Sequence, residues 1–112
     1  ALNVAHDRNP VYVTMADGSI RNGYTVKIAN RNGAERVYTV SARAPMPVEV
    51  DVQGQEGLDV AVPADSIREI RVFLTGHPVF SMSGDNPIEI WATDAETRER
   101  EVTENFFMAP EE

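Results

Sequence analysis

Two histidines, four methionines and a spread of carboxylates are the side chains of this 112-residue chain with the most chemical capacity. A hydroxyl nucleophile needs a base within hydrogen-bond reach and a third group to orient that base. His6 and His77 are the two candidates, and neither stands in a recognisable motif. His77 sits between Gly76 and Pro78 and reads as a solvent-exposed loop residue. Imidazole and thioether ligands also suit Cu(I), and Met15, Met46, Met82 and Met108 provide sulfur. These positions lack the close, repeated spacing of copper-carrying segments, and methionine commonly fills core space. Packing is therefore the plainer reading, with His77 and Met82 the pair on which a copper site would be tested.

The acidic residues follow strand faces and turns, as a solvated surface places them, whereas glycosidase chemistry needs two carboxyls facing across a cleft at about 5 to 10 Å. Asp85-Asn86 and Asp94 with Glu96 offer oxygens to calcium, but a site needs about six to eight of them, and no calcium-loop pattern is present. Asp and Asn cap turns through their own side chains, which accounts for these positions. Gly54-Gln55-Glu56-Gly57 lacks the lysine and the strand-to-helix setting of a phosphate loop. Trp91, Tyr12, Tyr24 and Tyr38 would be the members of any sugar-stacking platform, though rings at strand positions usually pack in a core or on a sheet face. The expectation is a domain that is not an enzyme and holds no cofactor of its own.

Composition bounds the elements that position these groups. A hydrophobic fraction of 42% with 25% charged residues is ordinary for a folded globular protein. A chain of this length buries roughly two thirds of its unfolded surface, enough for one core, so residues 1–112 are expected to form a single domain. The net charge of −8 repels phosphate backbones and anionic headgroups, which argues against nucleic acid as a partner. With no cysteine, the chain has no disulfide framework, thiolate zinc site or cysteine-held iron–sulfur cluster. No run reaches the roughly 18 apolar residues of a membrane span, so direct membrane insertion is not expected. The N-terminal Ala1-Leu2-Asn3-Val4 reads as the start of an excised piece.

Apolar and polar residues alternate in short runs, the period of two that a pleated strand requires. Tyr24, Val26 and Ile28 alternate with Thr25 and Lys27; Val48, Val50 and Val52 with Glu49 and Asp51; Ile88, Ile90 and Ala92 with Glu89, Trp91 and Thr93. Ile70, Val72 and Leu74 make a further apolar face, entered after a bend at Pro63. The pattern predicts strands at Val11–Thr14, Ser19–Asn30, Glu35–Ala42, Val48–Val52, Leu58–Val62, Ile67–Thr75, Pro87–Thr93 and Glu99–Met108. Asn32-Gly33 is the strongest hairpin signal, and 94–104 reads as a charged hairpin leading into the last strand. Seven to eight short strands in about a hundred residues predict an all-β, immunoglobulin-like antiparallel β-sandwich.

Three stretches carry a resemblance: Asp7-Arg8-Asn9-Pro10, then Asp17 through Ile28, and Val62 through Phe73. In order and spacing they resemble the C-terminal immunoglobulin-like domain of the FixG/CcoG family, the membrane-bound polyferredoxin accessory proteins of cytochrome oxidase assembly. The resemblance implies a domain at the periplasmic face of a bacterial inner membrane, within a protein tied to copper handling during assembly of a cbb-type oxidase. It places the iron–sulfur clusters in a separate ferredoxin-like segment outside this chain. The implied partners are the parent's own membrane and ferredoxin-like segments, and oxidase-assembly proteins. Asp7, Arg8, Asn9, Asp17, Arg21 and Asn22 are the interaction candidates. They either fix turns by charge-assisted bonds between the first two strands or form a docking face.

Overall fold

The computed structural model describes residues 1–80 and 82–111. Among the described residues nine strands run in the order β1 Leu2–His6, β2 Val13–Thr14, β3 Ile20–Asn30, β4 Arg36–Arg43, β5 Val48–Val52, β6 Asp59–Val62, β7 Ser66–Gly76, β8 Gly84–Asp94 and β9 Arg100–Ala109. All pairings are antiparallel. One sheet has the order β1-β3-β7-β5, with β2 also on β3; the other has the order β6-β4-β8-β9. The two layers close on one core, giving a body of 49 × 22 × 22 Å.

Alternation decides which side chains go inside. Tyr24, Val26 and Ile28 of β3 are fully buried, with Val72 and Leu74 of β7, Val60 and Val62 of β6, and Phe107 of β9. Each such aliphatic or aromatic side chain contributes about 1.5–3 kcal/mol relative to exposure. The intervening Thr25, Lys27, Glu49, Asp51 and Glu89 face outward and are half-buried or exposed. The eight expected strands are all present within two or three residues of their expected ends. Leu2–His6 is a ninth, whose inward row of Leu2, Val4 and His6 includes a polar ring that hides the alternation.

Most connections cross between sheets. Asn32-Gly33, expected to turn a hairpin, instead carries the chain from β3 in one sheet to β4 in the other. The reason lies in Asn30, which is buried: its Nδ2 donates to the carbonyls of Ala34 (2.9 Å), Val62 (3.0 Å) and Pro63 (3.2 Å), and its Oδ1 accepts the Asn32 N–H at 2.9 Å. Both long flanks of β3 are already paired, to β1 and to β7, so β4 has no edge on which to fold back. The charged segment after Asp94 does form a hairpin. The Asp94 carboxylate accepts the N–H groups of Glu96 (2.9 Å) and Thr97 (3.1 Å), and Arg98 takes a left-handed φ of 68°.

The sandwich has two ends. Ala1 lies at one, beside Ala29 and Glu101, with the turns at 31–35, 63–65 and 95–99. The loops 7–12 and 44–47 and residues 77–80 gather at the other, where Gly76 pairs with both Ile20 and Val48 and Gly84 pairs with Ala109.

Candidate functional site

The end opposite Ala1 brings most of the interaction candidates together on the outer face of the β1-β3-β7-β5 sheet. Asp7 follows β1, and its carboxylate takes a two-pronged bond from Arg71 of β7: Oδ1 from one terminal nitrogen and Oδ2 from the other, each at 2.6 Å. The pair straddles β3 at Gly23, where a Cβ would stand 2.4 Å from Asp7 Oδ2. Paired charge-assisted bonds of this kind hold a fixed geometry. Arg71 chiefly, through that bond, keeps the Asp7 carboxyl below the ordinary carboxylate value, and Asp7 in turn raises the guanidinium. Arg71 also donates to Thr25 Oγ1 at 3.2 Å.

Arg21 lies with its guanidinium carbon 3.7 Å from the Phe73 ring centroid, and Arg71 sits over the same ring at 5.2 Å. Of the expected charge-assisted bonds, that of Asp7 runs to β7, and Arg21 is instead a cation stacked on an aromatic face. Arg71 and Phe73 escaped the sequence reading, although both lie in the Val62–Phe73 stretch. Their outward orientation was visible from alternation, and their partners were not.

Asn22, fully buried, works at the seam between the sheets. Its Nδ2 donates to Met108 O at 2.9 Å and its Oδ1 accepts the Met108 N–H at 2.7 Å. That pairing fixes the amide's orientation, so His6 Nε2, 2.6 Å from Oδ1, faces an acceptor; His6 Nδ1 faces the Asp7 main-chain oxygen at 2.6 Å. The His6 ring also meets Tyr24 edge-on at 4.9 Å. It is therefore engaged in structure, with both nitrogens on carbonyl oxygens.

Asp17 is exposed and caps its turn, its Oδ1 accepting the Ser19 N–H at 2.9 Å, the bond that chiefly lowers its carboxyl below the usual value. Arg8 and Asn9 are exposed in the loop after β1, with a cis peptide between Asn9 and Pro10. His77 is exposed, accepts the Val79 N–H through Nδ1 at 3.1 Å, and has Phe80 edge-on at 6.5 Å. Met82 packs against the core over Gly76, its thioether beside the ring of Phe107. Among the described residues no three His, Asp or Glu side chains gather as metal ligands. The rings of the conceivable sugar platform are dispersed: Tyr24 and Tyr38 are core residues, and Trp91 lies half-buried between Arg43 (5.4 Å) and Arg100 (4.7 Å).

Two shallow clefts flank Met15 on this face. One, of about 340 Å³, is bounded by Val11, Tyr12, Val13, Arg21 and Phe73. The other, of about 550 Å³, is bounded by Pro47, Val48, Glu49, His77 and Phe80.

The family model described as the IG-like fold at the C-terminal of FixG matches residues 1–110. This chain belongs to that FixG C-terminal family. The FixG-type domain is 31% identical over 109 residues to RdxB of Cereibacter sphaeroides, covering 95% of this chain and 23% of RdxB. It is 32% identical over 114 residues to the nitrogen fixation protein FixG of Rhizobium meliloti, covering 97% of this chain and 22% of FixG. The chain thus spans less than a quarter of the length of these curated relatives. A crystal structure of a FixG-related protein from Vibrio parahaemolyticus superposes with a TM-score of 0.79 at 20% identity, over 96% of this chain and 94% of that one. That likeness concerns the fold, which is the immunoglobulin-like sandwich.

Proposed function

We propose that this FixG-type domain is a non-catalytic interaction and scaffolding module of a membrane-bound iron–sulfur accessory protein, serving assembly of a cbb-type cytochrome oxidase and its copper handling from the periplasmic face of a bacterial inner membrane. The observation that carries the reading is where apolar surface is exposed. Of the seven exposed large apolar side chains among the described residues, Val11, Val13, Val79, Phe80 and Phe106 lie toward the end opposite Ala1. Exposed apolar surface beside polar groups marks contact sites, and here Val11 and Val13 border one cleft with Arg21 while Phe80 borders the other with Asp17 and His77. The two-pronged Asp7–Arg71 bond and the Asn22 seam hold this end rigid.

The redox chemistry of such a parent requires thiolate ligands for its clusters. This chain has no cysteine, so its residues do not fit a cluster, and electron transfer belongs to the segments outside it. Its contribution is to hold those segments or an assembly protein in register.

The test is made in the parent protein. Arg8→Glu with Arg21→Glu, and separately Val11→Asp with Val13→Asp, are introduced into cells that assemble the oxidase. The domain's melting temperature and the haem absorbance of the assembled oxidase are read side by side. Unchanged melting with reduced oxidase supports docking. Lowered melting with normal oxidase in the surviving protein would show that these residues only fix turns.

A further inference from the structure

The main-chain groups on the two sides of the sandwich are treated differently. Where β1 and β9 meet, side chains occupy them: Tyr24 donates to Phe106 O (2.8 Å), Asn105 to Val4 O (3.2 Å) and Thr103 to Leu2 O (3.2 Å), and Asn22 serves both groups of Met108. On the opposite side β5 is the last strand of its sheet. The Gln53 N–H bond to Arg71 O, 2.9 Å, sets its phase against β7. Glu49, Asp51 and Gln53 turn their main-chain groups toward β7, and Val48, Val50 and Val52 turn theirs away. Val52 O accepts the Gln55 N–H at 3.4 Å; among the described residues the outward groups of Val48 and Val50 have no partner.

The surroundings indicate what would cover this edge. Glu49 and Asp51 point outward, are exposed, and among the described residues take part in no ion pair. The cleft of about 550 Å³ opens beside Val48 and Glu49, with Met15, Pro47 and Phe80 as apolar walls and Asp17 and His77 at its rim. Arg21 and Arg71, on β3 and β7 of the same sheet, are engaged on Phe73. Acidic side chains on an edge strand are one device that keeps edges from self-pairing. An apolar cleft continuing that edge is a feature such a device does not need. A second copy is disfavoured as occupant, since β5 against β5 would set Glu49 and Asp51 against their own equivalents, in a chain of net charge −8.

The geometry points to strand addition: β5 receives an extended, basic segment of another polypeptide. Its main chain bonds to Val48 and Val50, lysine or arginine at alternate positions lies beside Glu49 and Asp51, and an apolar side chain enters the cleft against Phe80. The inference rests on the interaction-module reading but uses a surface apart from Arg8 and Arg21, so the two fail separately.

The probe is a capped synthetic octapeptide of alternating lysine and valine ending in phenylalanine, with its glutamate-for-lysine counterpart as control. Amide exchange and nitrogen–proton spectra of the 112-residue chain are followed at millimolar peptide. The lysine peptide is expected to slow exchange of the Val48 and Val50 amides by about tenfold or more, and the glutamate peptide to leave them unchanged. Glu49→Lys with Asp51→Lys should reverse that preference. Val50→Pro, which removes an outward N–H without touching the β7 ladder, should abolish the response. Unslowed Val48 and Val50 amides, slowing at β6 or β9 instead, or equal response to both peptides would overturn the proposal. If Val50→Pro does not fold, the charge-reversal pair alone decides.

Discussion

Asp7 and Arg71 are 64 residues apart and meet through two 2.6 Å bonds across the backbone of Gly23. The meeting ties the loop after β1 to β7 over the top of β3, and it depends on the absent Cβ. Gly23→Ala places a methyl 2.4 Å from Asp7 Oδ2 and 3.0 Å from the Arg71 guanidinium. The variant should lose about 1–3 kcal/mol in urea unfolding, the range for a packed site forced to shift. In a double-mutant cycle, Asp7→Asn and Arg71→Gln should be non-additive; additive losses would show that the two side chains do not bond in solution.

The same pair sets a pH dependence. The Asp7 carboxyl is held below its ordinary value of 3.8 by Arg71, and Asp17 and Asp94 are lowered by main-chain N–H bonds. A carboxyl lowered in the folded state stabilises above its unfolded value, and that stabilisation is lost as pH falls through the folded one. Unfolding free energy should therefore decline from about pH 4 downward, with a shallower decline in Asp7→Asn. Parallel curves for the two proteins would remove Asp7 from the account.

Tyr24 behaves in the opposite sense. Burial, and then the charge of Asp7, raise its hydroxyl above the ordinary value, and that hydroxyl donates to Phe106 O. A folded value above the unfolded one gives stability that is complete below about pH 10 and lost as pH rises beyond it. Tyr24→Phe should cost about 1 kcal/mol at neutral pH and flatten the alkaline loss, as measured by thermal melts from pH 8 to 11.

Asn22 is the most exacting polar position of the seam. Replacing it with leucine leaves the Met108 N–H and C=O and one nitrogen of His6 without partners, at a cost of about 2–4 kcal/mol for buried groups. Amide exchange at Met108 should accelerate more than at Val26, deep in β3. Uniform acceleration would mean that Asn22 supports the fold generally and not the seam.

Soft-metal titration addresses the remaining candidates. The Met82 thioether is packed over Gly76 against Phe107, so Ag(I) or Cu(I) is expected to leave its methyl resonance in place at stoichiometric metal. Joint movement of the His77 and Met82 resonances would instead establish a copper site on this loop.

The burial pattern was readable along the chain because strand alternation is local: each of Tyr24-Val26-Ile28, Ile70-Val72-Leu74 and Ile88-Ile90-Ala92 carries its own two-residue period. The same locality made the charged hairpin expected over 94–104 readable, where Asp94 bonds to main-chain groups two and three residues on. The interaction candidates Asp7, Arg21 and Asn22 were readable as polar residues in distinctive stretches, without their roles.

Pairing was decided elsewhere. Any alternating strand presents a similar edge to any other, so the separation of β3 from β4 across Asn32-Gly33 followed from β1 and β7 already occupying both edges of β3, and from Asn30 reaching the main chain of Val62 and Pro63. The inward turn of His6 became stable only beside Asn22, and Arg71 found Asp7 only once β7 lay beside β3. Sequence alone settled which face of each strand is apolar, since that is a property of neighbours in the chain. Tertiary structure settled which edges are filled and which, as at Val48 and Val50, are left open, because hydrogen bonds between strands join residues far apart in sequence.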